Sequence, residues 1–248
     1  MTAVLSVLIP TRNRPEELSS LIKILEKVES ESLEFIVSDN SDLPLSISTV
    51  SPLIRFVRPS RVMNMTDHWN FLAVQASGTY LTFVGDDDAL IPTELRRLVD
   101  FLAGRDEDFV WTPAAGYVWP ASGKPANFFQ KSYRSHHPLP LPIAREKVAR
   151  LEADMDIPLP YNRVVFKRTL AEKFISRVPD GRFYSSRIPD INAGVKILFL
   201  SSSQCSYPFT VFISGTSPSS NGLLTRNEPD HPKAKEFNNT SFNPLPQS

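Results

Sequence analysis

Cysteine occurs once in the 248 residues, at Cys205. That excludes an intramolecular disulfide framework and any zinc site built on paired cysteines, and it fits a reducing compartment. No GxGxxG follows an apolar run, and GxxxxGK followed by Ser or Thr occurs nowhere, so neither a dinucleotide fold of the usual kind nor a P-loop nucleotide hydrolase is indicated. Excess charge is missing too: 27 Lys and Arg stand against 27 Asp and Glu, which removes any bulk pull toward nucleic acid or an anionic membrane. No stretch reaches the ~20 apolar residues of a membrane span. The start, "MTAVLSVLIPTRNR", has too short an apolar run and no basic lead for a signal peptide. The expectation is a soluble, cytoplasmic protein with no nucleic-acid partner, in which the Asn238 and Asn239 sequons are chance matches.

What is present is a regular first part. Six of the 22 prolines fall in residues 1–100 and 16 after, so the second part reads as loop-rich structure laid onto the first. "AVLSVLI" (3–9) is the continuous apolar run of a strand buried on both faces. Leu18, Leu21, Ile22, Leu25 and Val28 then recur at helical spacing behind Pro15 and two glutamates. "LEFIVS" (33–38), "LIRFV" (53–57) and "TYLTFV" (79–84) read as further strands. Between them, "MTDHWNFLAVQAS" (65–77) reads as a helix with Met65, Trp69, Leu72, Ala73 and Ala76 on one face, stopped by Gly78. "TELRRLVDFLAG" (93–104) is a helix with Leu95, Leu98, Val99 and Leu102 inward. Strand and helix alternate, which predicts an α/β fold with a mostly parallel central sheet flanked by helices.

In such sheets ligands bind outside the carboxyl ends of the strands. Three polar clusters fall there: "PTRNR" (10–14), "SDNSD" (38–42) and "GDDD" (85–88). Three adjacent carboxylates resist joint ionisation unless a positive group sits among them. Helix polarity ahead of Thr93 accounts for only tenths of a kcal/mol each, whereas a hard divalent cation prefers carboxylate oxygen and bridges to phosphate. Asp39 is suited to accept hydrogen bonds from a nucleobase or ribose, and Arg12, Asn13 and Arg14 lie beside a helix N-terminus that can meet phosphate. Taken singly, Asn13 is equally a helix cap, and Asp39 and Asp42 equally a turn. Together they favour a nucleoside diphosphate with its metal.

"VLIPTRNRPEELSSLIKIL", "FIVSDNSD" and "NMTDHWNFLAVQASGTYLTFVGDDDALIP" resemble, in order and spacing, the start, second strand and aspartate motif of family 2 glycosyltransferases with the GT-A fold. The resemblance covers about residues 3–104. It implies an inverting enzyme that uses a nucleotide diphosphate sugar. Pro10, Thr11, Arg12 and Asp39 would hold the base, with Asn13, Arg14, Asn40 and Asn64 also on the donor, and Asp86 toward ribose. Asp87, principally, and Asp88 would hold Mn2+ or Mg2+. The chain departs from the commoner pattern in having Arg12 for an aromatic and Gly85 for an acid.

Inversion needs a general base for the acceptor hydroxyl and a Lewis acid for the departing diphosphate. The base is sought among Asp154, Asp156, Asp180 and Asp190. Asp190, after a proline and before a helical pattern, sits where the resemblance places the base, with an ordinary N-cap as the plain alternative. Asp156 is the second choice. "LPYNRVVFKR" (159–168) resembles an acceptor-side strand, though Tyr161, Asn162 and Arg163 also read as a loop and strand entrance. "ISGTSPSSNG" (213–222) reads as a polar loop, solvated or closing over phosphate or acceptor. Trp111 and Trp119 fit core packing better than a sugar platform, and His136 and His137 fit an exposed loop.

The expected organisation is a nucleotide-sugar part (1–104), an acceptor and catalytic-base part of the same domain (105–224) and a polar tail (225–248). The acceptor is expected to be a glycan or lipid-linked glycan, with possible peripheral membrane association. A nucleotidyltransferase acting on a sugar phosphate and a non-catalytic nucleotide-sugar binding module are the rivals. The first would normally carry a glycine-rich basic loop after the first strand, and "PTRNRPEE" has no glycine.

Overall fold

A computed structural model describes residues 3–120, 125–130, 138–153 and 155–218, together with 220, 230, 232 and 235. Asp154, His136, His137 and most of the 225–248 tail lie outside the described residues. In chain order the elements are β1 (Leu5–Thr11), α1 (Pro15–Leu25), β2 (Leu33–Asp39), β3 (Ile54–Val57), α2 (Met65–Ala73), β4 (Tyr80–Phe83), β5 (Ala89–Leu90) and α3 (Pro92–Ala103). There follow β6 (Phe109–Trp111), β7 (Ala114–Val118), β8 (Asn127–Gln130), α4 (Leu141–Ala149), β9 (Val164–Lys167), α5 (Arg168–Ile175), α6 (Pro189–Leu200), β10 (Gln204–Ser206) and β11 (Phe212–Thr216).

Seven strands form the central sheet in the order β10-β6-β9-β4-β1-β2-β3. All neighbours are parallel except β9, which runs antiparallel to both β4 and β6. β1 lies between β2 and β4 and is buried on both faces. Its alternation splits the core: Leu5, Val7 and Ile9 pack with the inward residues of α1 and α3, while Leu8 faces Trp69, Phe83 and Phe166 on the side of α2, α5 and α6. On that second side Trp69 stacks on Phe83 with ring centroids 4.1 Å apart, and Tyr184 meets both rings edge-on.

The structure corrects the expectation of a second part laid onto the first. β6, β9 and β10 extend the same sheet, and β5, β11, β7 and β8 make a second, four-stranded one. The expected stop of α2 at Gly78 is also corrected: the helix ends at Ala73, and the chain leaves through two shorter-range bonds from Gln75 and Ala76. Gly78 serves strand entry instead. Its amide donates to Ser6 Oγ at 2.8 Å, and a Cβ there would lie 2.6 Å from the Ser6 amide nitrogen. The consequence for function is positional, because Asp86, Asp87 and Asp88 occupy the link between β4 of the first sheet and β5 of the second.

Candidate active site

The three clusters do share one rim. β1 and β2 are paired in register to their ends, Thr11 opposite Asp39, and the Asn40 amide donates to the Thr11 carbonyl at 3.0 Å. Pro10 falls beyond the last β1 residue that pairs with β4, where a missing N–H costs no ladder bond. Asn13 does not cap α1. It takes φ +55°, its amide donates to Ser41 Oγ at 2.8 Å, and its side chain exchanges hydrogen bonds with Asp42, to which Arg12 also donates. The N-cap is Arg14, with no side-chain cap, so its guanidinium is left for the rim.

Asp39 makes the turn and also faces the rim. It accepts from the Ser41 and Leu45 amides, each at 2.9 Å, and from Arg58 at 2.6 Å. Burial pushes its acidity down, but the Ser41 and Leu45 donors and the Arg58 guanidinium outweigh it and hold the carboxylate below its usual range. Asn40 clamps the Met63 backbone through both ends of its amide, 2.8 Å each. Asn64 caps α2, accepting from the Asp67 amide at 2.8 Å.

The aspartate run is fully inside, each residue 3–5% exposed. Asp86 accepts from Thr11 Oγ1 at 2.7 Å and from Arg14 at 2.8 Å. Asp87 accepts from Ser217 Oγ at 2.8 Å and Ser220 Oγ at 2.5 Å, with Arg14 3.6 Å away. Asp88 accepts from the Gly85 amide (2.5 Å), the Gly215 amide (2.6 Å) and Asn162 Nδ2 (2.6 Å), and Tyr161 hydrogen-bonds to it as well. Burial, and the neighbouring Asp87, push Asp86 and Asp88 up to about 6, Arg14 opposing at Asp86 and Asn162 at Asp88. Among the described residues the ion pairs to the run are made by Arg14. Three carboxylates facing one guanidinium leave excess negative charge, and the donors are all hard oxygen. That chemistry fits Mn2+ or Mg2+ at Asp87, whose partners are the Ser217 and Ser220 hydroxyls, the Ser217 amide at 3.3 Å and the nearby Arg14. Asp88, expected as a second ligand, has both oxygens hydrogen-bonded to amide donors that build the turn and join the sheets. Among the described residues, no group of three or more His, Cys, Asp or Glu gathers into a ready metal cage.

Gly85, where an acid is commoner, is explained by the same packing. A Cβ there would lie 2.2 Å from Tyr161 Oη and 2.8 Å from Asp88 Oδ2. On the other side Gly215 packs backbone to backbone on the run, a Cβ meeting the Asp87 carbonyl oxygen at 1.7 Å.

Asp190 is the second residue of α6, not its cap; the N-cap is Ile188, with no side-chain bond. Half-buried, it has its pKa raised by burial against the Ile191 and Asp190 amides. The strap leading to it is fixed on both sides: Asn70 of α2 bonds Tyr184, Thr66 donates to the Ser186 carbonyl, and Asn192 of α6 accepts from Ser185. Asp156 is spent on an ion pair with Arg163 at 3.1 Å, and Asp180 accepts from the Arg182 amide. Trp111 is core, as expected, whereas Trp119 donates Nε1 to the Asp87 carbonyl at 2.7 Å.

A family model described as glycosyl transferase family 2 matches residues 6–144, more than half of the chain. The chain belongs to that family. Over 102 residues it is 32% identical to the GalNAc(5)-diNAcBac-PP-undecaprenol beta-1,3-glucosyltransferase of Campylobacter jejuni, a match covering 38% of this chain and 33% of that protein. The structure of S. aureus TarS 1–349 in complex with UDP-GlcNAc superposes with a TM-score of 0.61 at 14% identity, over 87% of this chain and 59% of that one. S. aureus TarS at greater length gives 0.57 at 16% identity, over 86% of this chain and 37% of that one. At such identity the likeness establishes the fold, which is GT-A. This family 2 chain thus spans about a third of the Campylobacter protein and three fifths of TarS 1–349.

Sequence reasoning left Ser217, Ser220, Gly215, Asn162 and Tyr161 without assigned parts in the rim. Of the stretch read as a polar loop, residues 213–216 belong to β11, and Ser217 is completely buried. One signal was present: a single glycine inside the β-prone run "VFISGT" marks close backbone approach. Asn162, at φ +57°, and buried His68, whose Nε2 meets Ser38 Oγ at 2.7 Å, carry no sequence signal of their place.

Proposed function

We propose that the chain is a nucleotide-sugar glycosyltransferase that moves a sugar, with inversion, from a nucleoside diphosphate to a hydroxyl of a lipid-linked glycan. The observation that carries this is the buried aspartate run set between Arg14 and Ser217 on the rim that Asp39 and Thr11 complete. The acceptor class follows the Campylobacter relative, whose name specifies a PP-undecaprenol glycan. No helix among the described residues is long and apolar enough to cross a membrane.

Asp39, kept ionised by its donors, accepts from the base, and Asp86, braced by Thr11 and Arg14, faces the ribose. A divalent cation held at Asp87 would neutralise charge on the departing diphosphate. Arg14, beside the same carboxylates, orients the phosphates. Asp190 takes the proton of the attacking hydroxyl: burial raises its proton affinity toward what a general base needs.

Titration with uridine, guanosine and thymidine diphosphates, with and without Mn2+, tests the donor side. One of them binds in a metal-dependent way, and Asp87→Asn removes that dependence; absence of metal-dependent binding for all of them sinks the proposal. Asp190→Asn keeps nucleotide affinity and lowers turnover by about 10²-fold or more. Retained turnover moves the base elsewhere.

A further inference from the structure

Beside the rim, behind the Met63 backbone that Asn40 clamps, lies a polar cavity of about 430 Å³. We propose that it is an oxyanion site for the diphosphate of a lipid-linked acceptor, an assignment that rests on the acceptor class proposed above. One wall is a single face of α2, with Asn64, Asp67 and Asn70 at successive turns; the others come from Arg61 and Arg182.

The polar groups of the wall are divided between construction and recognition. Asn64 is occupied by capping α2 and by Asp67, and Asn70 by the Thr66 carbonyl and the Tyr184 backbone. Arg182 pairs with Asp67 at 2.8 Å. Arg61 has no ion pair among the described residues. Two guanidiniums against one carboxylate leave the cavity one positive charge in excess. Guanidinium forks match phosphate oxygens in pairs, and the volume is of the size that takes a small ligand.

The surroundings point to an amphipathic ligand. Arg182 and Ile188 are the two ends of the strap that bridges α2 and α6. Ile188 and Ile191, which flank the proposed base Asp190, are 50% and 44% exposed. Cations at one end of the strap and exposed apolar side chains at the other fit a diphosphate with a hydrocarbon tail, entering beside the group that must meet its sugar hydroxyl.

The test uses protein saturated with UDP and Mn2+, titrated calorimetrically with inorganic pyrophosphate and, separately, farnesyl diphosphate. Both bind despite the nucleotide, farnesyl diphosphate more tightly. Arg61→Ala and Arg182→Ala, both at exposed positions, each weaken them about tenfold while UDP affinity stays within about twofold. Binding that ignores both substitutions overturns the site. Loss of UDP affinity in both variants assigns the cavity to the donor and overturns it as well, and equal affinity for the two probes overturns the lipid-linked assignment. If UDP does not bind the unmodified protein, the proposed function falls; arginine-dependent pyrophosphate binding to the free protein still decides the cavity.

Discussion

Residues 5–104 supply the charge of the rim and the donors to Asp39 and Asp86, and residues 105–220 supply most of the donors to Asp87 and Asp88. Asp39, Asp86, Asp87, Asp88 and Arg14 all come from the first set, Tyr161, Asn162, Gly215, Ser217 and Ser220 from the second. The two meet across long stretches of chain: 127 residues separate Asp88 from Gly215, and 133 separate Asp87 from Ser220. A buried carboxylate without donors carries a desolvation penalty of several kcal/mol. The amino-terminal half therefore cannot hold Asp87 and Asp88 in place alone, and the later half is a structural condition for that part of the site.

The sharpest break of that division is Gly215→Ala. The added methyl meets a backbone oxygen, not a movable side-chain end, so β11 must shift away and three donors to Asp87 and Asp88 move with it. We expect a loss of more than about 3 kcal/mol in denaturant unfolding. Gly104→Ala, in the first half with nothing within 4 Å of the new Cβ, serves as the matched control and stays within about 1 kcal/mol. Equal losses in the two would end the distinction.

A smaller effect separates a donor from a backbone requirement. Asn162→Ala removes the hydrogen bond to Asp88 and places a side chain with a Cβ at φ +57°; Asn162→Gly removes only the bond. We expect about 2–3 kcal/mol for alanine and about 1 kcal/mol less for glycine. A glycine variant no better than alanine shows that the left-handed backbone is not a source of strain here.

The same division explains what was legible in the sequence. β1, α1, β2, β3, β4 and α3 could be read because each buries residues at its own period, 2.0 or 3.6, over a short continuous stretch, and the inward set Leu95, Leu98, Val99 and Leu102 is the observed one. Asp39 and the aspartate run could be read because strand ends of an open sheet share an edge. What could not be read was pairing at long separation. β9, antiparallel between two strands that lie before it in the chain, and β11, which crosses to β5 and β7, have no local signature that fixes their partners. The donors to Asp88 from the later strands, Asn162 and the Gly215 amide, are likewise invisible until those strands are placed.

The finest test lies in the amino-terminal half alone. His68, buried beside Ser38 under the Asp39 rim, has its pKa lowered to about 4, mainly by burial, with Asp39 opposing and Arg12 adding to it. Its folded value lies below the unfolded one of about 6.5, so its contribution is present above pH 6.5 and is lost as pH falls toward 4, up to about 3 kcal/mol. Asp86 and Asp88 have folded values raised to about 6, so in metal-free protein they act with the opposite sign, their contribution present below about pH 4 and lost as pH rises through 6. The two halves of the rim would mask each other in the unmodified protein. The difference between it and His68→Gln cancels the aspartates, because both proteins carry them. That difference should be under about 1 kcal/mol at pH 7, where only the Ser38 bond is at stake, and should swing in favour of the variant as pH falls to 4. A difference flat with pH would mean that His68 takes its proton as readily folded as unfolded, and that the ground beneath Asp39 is wetter than its 8% exposure implies.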